Sequence, residues 1–262
     1  MSELGAVAAL TRVAEARGLR ILLIGARARE IVFDQQHDGK PYRATRDIDM
    51  GVRVSTWKDY QTFVDALADA GFTHEAEHKL RYKDGTELDL LPFGDIVDED
   101  NKLVWLGGDR VMSMDGFESA DAHGELRGVA GVQVRVVKLP GLVTLKLFAF
   151  RERGVDSRSN DLGDLNHILS NASSALMGRI YEELSPALVE ALDYHQLGPY
   201  LLGRDVANTV RRGEADGLVS IVNEYILSKP DYALLSRVAR TAIEDSIAVF
   251  EAFKQGLEEN RT

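Results

Sequence analysis

Asp47 and Asp49 stand two residues apart in the stretch Asp47 to Val54, where polar residues alternate with Ile48, Met50, Val52 and Val54. The alternation predicts a strand, and its period of two puts both carboxylates on one face, where their oxygens can converge on a point. Paired carboxylates repel each other, and a divalent cation between them relieves the repulsion. Magnesium, a hard ion that takes oxygen ligands beside substrate phosphates, suits such a pair. Taken alone, an Asp-x-Asp on a half-exposed strand is more often a solvated face, so its neighbours decide its meaning. Asp89, in Glu87-Leu88-Asp89-Leu90-Leu91, has apolar residues on both sides. It could complete a metal site or accept a proton from an attacking hydroxyl. Glu87, two residues earlier on the same face, offers the same chemistry. Gly25 ends the apolar run Ile21-Leu22-Leu23-Ile24 just before a helical stretch. Free backbone N–H groups and the helix dipole favour a phosphate there, although a plain tight turn would use the same residue.

These side chains need rigid supports, and the apolar pattern supplies them. Leu4, Val7, Ala8, Leu10, Val13 and Ala14 recur at helical intervals up to Gly18. Residues 21–24 then read as a strand, Ala26 to Phe33 as a helix, and Asp34 to Arg46, with Gly39 and Pro41, as a loop. A helix is expected from Thr56 to Ala70. Strands follow at Lys79 to Tyr82 and Glu87 to Leu91, joined through Lys83-Asp84-Gly85, and another at Val132 to Val137. From Pro140 the pattern turns helical, with candidates at Leu142 to Arg153, Asp161 to Leu169, Pro186 to Leu192, Pro199 to Arg212 and Leu234 to Leu257. The reading is α+β, a mixed sheet flanked by helices over residues 1–138 followed by a mainly helical half over 139–262, without an internal repeat.

Composition narrows the chemistry further. The 262 residues are 45% hydrophobic and 28% charged, as in an ordinary globular protein with a substantial core. Lys and Arg total 31 against 42 Asp and Glu, a formal charge of −11, so the chain repels polyanions and nucleic acid would need a local basic patch. Basic residues do gather between Arg135 and Arg158, as an RNA track or simply a solvated helical face. No cysteine is present, which removes disulfide, thiol and cysteine–zinc chemistry and fits the cytoplasm. Glu3, Arg12, Glu15 and Arg17 interrupt the first helix, so a signal peptide is not expected, and no apolar run suggests a membrane partner.

The order strand, Gly25-Ala26, helix, Thr45-Arg46-Asp47-Ile48-Asp49, then Leu88-Asp89-Leu90 resembles the nucleotidyltransferases of the DNA polymerase beta-like superfamily. Within it, the chain is most similar to the AbiEii/AbiGii toxin type. The resemblance extends to Lys146, in Leu142-Val143-Thr144-Leu145-Lys146-Leu147, and to Asp161-Leu162-Gly163-Asp164-Leu165, and so spans about Leu22 to Leu169. It implies that Gly25 and Ala26 cradle the triphosphate of an NTP and that Asp47 and Asp49 bind two Mg2+ ions. Asp89 would be the third ligand or general base, and Lys146 would contact the triphosphate. Asp161 and Asp164 would position that lysine or help to close the site; a helix N-terminal cap is the plainer role for them. Arg27 and Arg46 would help to neutralise the phosphates. Implied partners are an acceptor RNA such as tRNA, or a protein, and a cognate antitoxin. Ala26 departs from the family's serine or glycine, the gap between Gly25 and Asp47 is long, and Ser159-Asn160 stand where a basic residue is common.

Other readings compete. His74-Glu75-Ala76-Glu77-His78 matches a zinc-protease pattern that requires a helix, whereas this segment should be a polar connection between a helix and a strand. His37, His123, His167 and His195 lack ligand spacing and read as surface or cap residues. Ile24-Gly25-Ala26-Arg27-Ala28-Arg29 lacks the later glycines of a dinucleotide fingerprint, and no P-loop occurs. The alternatives to an RNA- or protein-directed transferase are an idle nucleotide-binding or protein-interaction module and a small-molecule transferase of the aminoglycoside type.

Overall fold

The structure, a computed structural model, describes residues 3–35, 42, 47–108, 110–153, 155–228, 232–239 and 242–259. The chain divides into two compact units, Met1–Val32 with Arg43–Lys138, and Phe33–Tyr42 with Leu139–Thr262. The second unit thus takes in a segment from within the sequence of the first.

The first unit is built on a seven-stranded mixed sheet. Its strands are β1 (Arg20–Ile24), β2 (Asp47–Arg53), β3 (Phe72–Ala76), β4 (Lys79–Tyr82), β5 (Glu87–Phe93), β8 (Glu125–Val129) and β9 (Val132–Val136), while β6 (Lys102–Val104) and β7 (Val111–Ser113) form a separate hairpin. The spatial order is β3-β4-β5-β2-β1-β9-β8. β2 therefore sits at the centre, antiparallel to β1 and parallel to β5. Ile48, Met50 and Val52 of β2 are buried, as are Leu22, Leu23, Leu88 and Leu90 on its neighbours, so the strand carrying the aspartates is fixed by its apolar face. Helix α1 (Glu3–Ala16) buries Ala6, Val7, Leu10 and Ala14 against this sheet. The short α2 (Gly25–Arg29) continues into a π-helical turn, Glu30–Asp34. α3 (Trp57–Asp69) starts from a Thr56 cap and α4 (Phe117–Ala122) follows the hairpin.

The second unit is helical: α5 (Leu139–Glu152), α6 (Val155–Ala175), α7 (Met177–Glu183), α8 (Pro186–Ala191), α9 (Tyr194–Thr209), α10 (Arg212–Ile221), a π-helical segment Val222–Leu227, α11 (Tyr232–Val238) and α12 (Ile243–Glu259). α9 and α12 meet backbone to backbone: a Cβ on Gly203 would lie 2.9 Å from the Leu257 amide nitrogen, and one on Gly256 2.9 Å from that of Arg204. Phe250, Phe253, Leu201 and Val206 close the core around that crossing. Among the described residues, no helix is long and apolar enough to cross a membrane.

The α+β architecture is as the pattern predicts, with four differences. The helix expected at Leu234 to Leu257 is two helices, α11 and α12. Pro199 lies inside α9, which starts earlier at Tyr194 behind a capping box of Asp193 and Gln196, rather than opening it. α6 begins at Val155, so Asp161 and Asp164 are in its interior and do not cap it. His74 to Ala76 belong to strand β3, not to a connection, which also removes the helix that zinc-protease chemistry requires.

Candidate active site

Strand register assembles the carboxylates. β2 and β5 run parallel with Asp47 opposite Glu87 and Asp49 opposite Asp89, so all four share one sheet face. β4 lies on the far side of β5, with Lys79 opposite Asp89 and Arg81 opposite Glu87. The face thus carries two rows of like order, Asp49-Asp89-Lys79 and Asp47-Glu87-Arg81. Arg81 distinguishes the two outer carboxylates. Its Nη2 donates to Glu87 Oε1 at 3.0 Å while its Nε donates to Glu75 at 2.5 Å, so Glu87 is engaged in a direct ion pair. Among the described residues, Asp89 has only longer ion-pair contacts, 3.9 Å from Lys79 Nζ and 3.8 Å from His78 Nε2, and its side chain is 28% exposed.

Gly25 is set against this cluster. β1 ends with Ile24 opposite Asp49, and Gly25 follows at φ +69°. A Cβ there would stand 2.6 Å from Asp49 Cγ and 2.8 Å from Asp49 Cβ, so both the backbone and the space require glycine. Ala26 is buried behind it. Arg27 Nη1 donates to Glu30 Oε2 at 2.5 Å, and Arg29 is completely buried rather than a surface residue. Arg46, with Arg43 and Thr45, lies outside the described residues. Among the described residues, no three His, Asp or Glu side chains are gathered within range of one metal ion.

An aromatic and basic shell surrounds Asp89. Tyr60 Oη donates to the carbonyls of Glu77 and Leu90, clipping the backbone beside His78 and Asp89. Burial pushes the Tyr60 hydroxyl well up, and the charge of Asp89 adds to it. His78, second histidine of the apparent zinc motif, is 9% exposed against Trp105 and within hydrogen-bonding distance of Arg110. Burial lowers its pKa, Asp89 opposes that shift and Arg110 reinforces it.

In the second unit, the family-implied lysine and aspartates meet. Lys146 Nζ on α5 lies 2.7 Å from Asp164 Oδ2 and 3.1 Å from Asp161 Oδ1 on α6, and Arg153 Nη1 reaches Asp161 Oδ2 at 2.9 Å. Both aspartates are fully buried. Lys146 is therefore neither snorkelling nor part of a solvated face, and Arg158 turns inward to the carbonyls of Phe150 and Arg151. One turn further along α6, His167 donates from Nε2 to buried Asp34 at 3.0 Å and stacks on Tyr42 at 4.2 Å, while Asp34 accepts from the Tyr42 amide. The surface or cap role expected for His167 is thus corrected. The three-residue spacing Asp161, Asp164, His167 was the sequence signal of a polar stripe on one helical face.

No protein-family profile and no curated protein matches the sequence. Among solved structures, the antibiotic-resistance factor ANT(2'')-Ia in solution is similar at 16% identity and TM-score 0.39, over 72% of this chain and 96% of that one. The same factor in complex with adenylyl-2''-tobramycin gives 13% and 0.40, over 70% and 92%. An antigenic nucleotidyltransferase-like protein from Paracoccidioides brasiliensis gives 16% and 0.43, over 73% and 92%. Likenesses this distant carry no argument about chemistry, which rests on the side chains.

Proposed function

We propose that the chain is a nucleotidyltransferase that moves a nucleoside monophosphate from an NTP to an acceptor hydroxyl. The observation that carries this reading is the packing of Gly25, at positive φ, onto Asp49 with Asp89 in register alongside. A glycine at positive φ fitted against one of the aspartates that share this sheet face is the arrangement expected where backbone, acid and phosphate must approach closely. The donor set fits Mg2+: all ligands are hard oxygens, and magnesium takes one or two protein carboxylates while phosphates and water fill its remaining positions. Bound there, two such ions would stabilise the attacking and leaving oxygens of an in-line displacement.

The chain's own residues would do the rest. Asp47 and Asp49, rigid on β2, would hold the ions and so align the triphosphate. Asp89 would complete the set or take the proton of the acceptor as its oxygen bonds to the α-phosphorus. The bond to the bridging oxygen breaks, and pyrophosphate leaves. Asp89 fits this role better than Glu87, whose carboxylate is held by Arg81. Gly25 and Ala26 would present backbone N–H groups to the phosphates, with Arg27 and Arg46 adding charge. In the second unit, Asp161 and Asp164 fix the Lys146 ammonium in place. The acceptor proposed is RNA such as tRNA, or a protein, with the chain acting as the toxin of a toxin–antitoxin pair in the cytoplasm. That finer reading rests on the sequence resemblance.

Each α-labelled NTP, supplied with Mg2+ to a bacterial extract, tests the proposal. Label should enter RNA or protein with the intact chain and not with the Asp47→Ala, Asp49→Ala variant. Label in a small-molecule fraction would move the acceptor to the aminoglycoside class. Absence of NTP binding in the presence of Mg2+ would overturn the catalytic reading.

A further inference from the structure

Resting on the reading of Asp89 as a metal-site carboxylate, we infer that Arg110 and His78 form a positioning relay that presents an N–H to Asp89 and sets its affinity for the metal–triphosphate complex. Arg110 Nη1 lies 3.2 Å from His78 Nδ1. A guanidinium only donates, so Nδ1 must accept, and the proton of the neutral ring resides on Nε2. That nitrogen faces Asp89 Oδ2 at 3.8 Å, beyond hydrogen-bond length and within reach of a charge–dipole attraction. Arg110 thereby selects the tautomer that directs a donor, and not a lone pair, at the carboxylate.

The surrounding fold holds the ring for this purpose. The Leu90 amide donates to the His78 carbonyl at 2.7 Å, which ties His78 to the residue after Asp89. Tyr60 Oη bonds to the carbonyls of Glu77 and Leu90, one residue to the side of each partner. Trp105, itself 2% exposed, packs 5.7 Å from the imidazole and lies against Trp57 and Tyr60. The Trp105 amide donates to the Arg110 carbonyl at 3.0 Å, so the hairpin residue bearing the guanidinium is anchored to the residue that walls the ring. Backbone bonds thus fix the His78 and Arg110 main chain on either side of the pair, and Trp105 packs against the imidazole itself, while an ordinary turn histidine at the start of β4 would need none of them. Outer-shell donors of this kind orient a ligating carboxylate and tune its affinity.

Two substitutions separate the relay from simple packing. Asn at position 78 has an amide that reaches only as far as Nδ1, whereas Gln carries an N–H about as far as Nε2. Mn2+ binding can be followed by the spin resonance of the free ion, in the presence of the non-hydrolysable α,β-methylene analogues of the four NTPs, with near-ultraviolet dichroism to confirm packing. His78→Asn should weaken Mn2+ binding about tenfold and His78→Gln should restore most of it. Arg110→Leu should weaken it comparably in the wild type and add nothing in the His78→Asn background, since the two act through one path. Equal loss in the Asn and Gln variants, no loss in either, or an additive Arg110→Leu would overturn the relay. Asp89→Asn distinguishes the two ways of failing. If it weakens Mn2+ binding while His78→Asn does not, the relay alone falls; if it leaves binding unchanged, the metal role of Asp89 falls and the relay with it.

Discussion

Gly25 is where the requirements of backbone and chemistry meet. At φ +69°, a residue with a side chain sits in the left-handed region at a cost of about 1–2 kcal/mol, and here its Cβ would also displace the Asp49 carboxylate. Gly25→Ala should therefore lose metal–triphosphate binding outright while lowering Tm by about 3–6 °C, measured by calorimetry. In an Asp49→Ala background the same substitution should cost less, because the overlap with the carboxyl group has gone while the approach to Asp49 Cβ and the backbone strain remain; an equal cost in both backgrounds would show that the Asp49 carboxylate yields freely. Lys146 makes a different prediction. Its ammonium lies between two fully buried carboxylates, and truncating one partner of a buried ion pair leaves charge without its compensation. Lys146→Met should destabilise the chain by about 3–5 kcal/mol in urea unfolding, and the double change Lys146→Met, Asp164→Leu should recover a good part of that, since an apolar replacement of a buried pair is close to neutral. If the single variant unfolds like wild type, the triad does not hold α5 to α6.

At the scale of elements, the sequence made the scaffold of the site legible and left its surroundings hidden. Alternation marked β2 and β5 because each has one apolar face buried and one polar face open, the condition under which a period of two is visible. It could not show that β5 pairs with β2 in parallel register, because register follows from chain topology and not from either strand alone. Nor could it show α4, whose six residues are too few for a helical period, although α4 carries the buried Asp121 to the sheet end opposite Asp49. There, Asp121 is ringed by Arg20 at 3.3 Å, Arg53 at 3.6 Å and Arg135 at 3.8 Å. Burial nonetheless pushes its carboxyl above the ordinary 3.8, outweighing the three arginines. The folded state then binds this proton more readily than the unfolded chain does. Its contribution to stability is full below 3.8 and is lost as pH rises through the raised folded value. The Tm of wild type minus that of Asp121→Asn should accordingly grow as the buffer is taken from about pH 7 to about pH 4. A difference that shrinks on acidification would mean that the arginines hold the carboxyl down.

At the scale of the whole molecule, the sequence pattern turns from sheet to helix near Lys138, whereas the second compact unit joins Phe33–Tyr42 to Leu139–Thr262. Composition could not reveal that Phe33, Asp34 and Tyr42 pack with the helices, because they lie in a short polar stretch distant in sequence from them. Their anchoring is specific. Phe33 is buried with its ring edge-on to His167 at 5.7 Å, Asp34 accepts the His167 proton, and Tyr42 stacks on the same imidazole. A division of the chain at Lys138 therefore separates His167 from all three partners. Fragment 139–262, expressed alone, should melt well below the helical unit of the intact chain, because Asp34 supplies a buried acceptor worth about 1–3 kcal/mol and Phe33 a comparable burial of apolar surface. In the full chain, Asp34→Ala should reproduce the polar part of that loss and leave the Phe33 part intact. Proteolysis and thermal melts of the three proteins measure this directly. If the fragment is as stable as the helical unit of the intact chain, Phe33, Asp34 and Tyr42 are passengers of that unit and not part of its core.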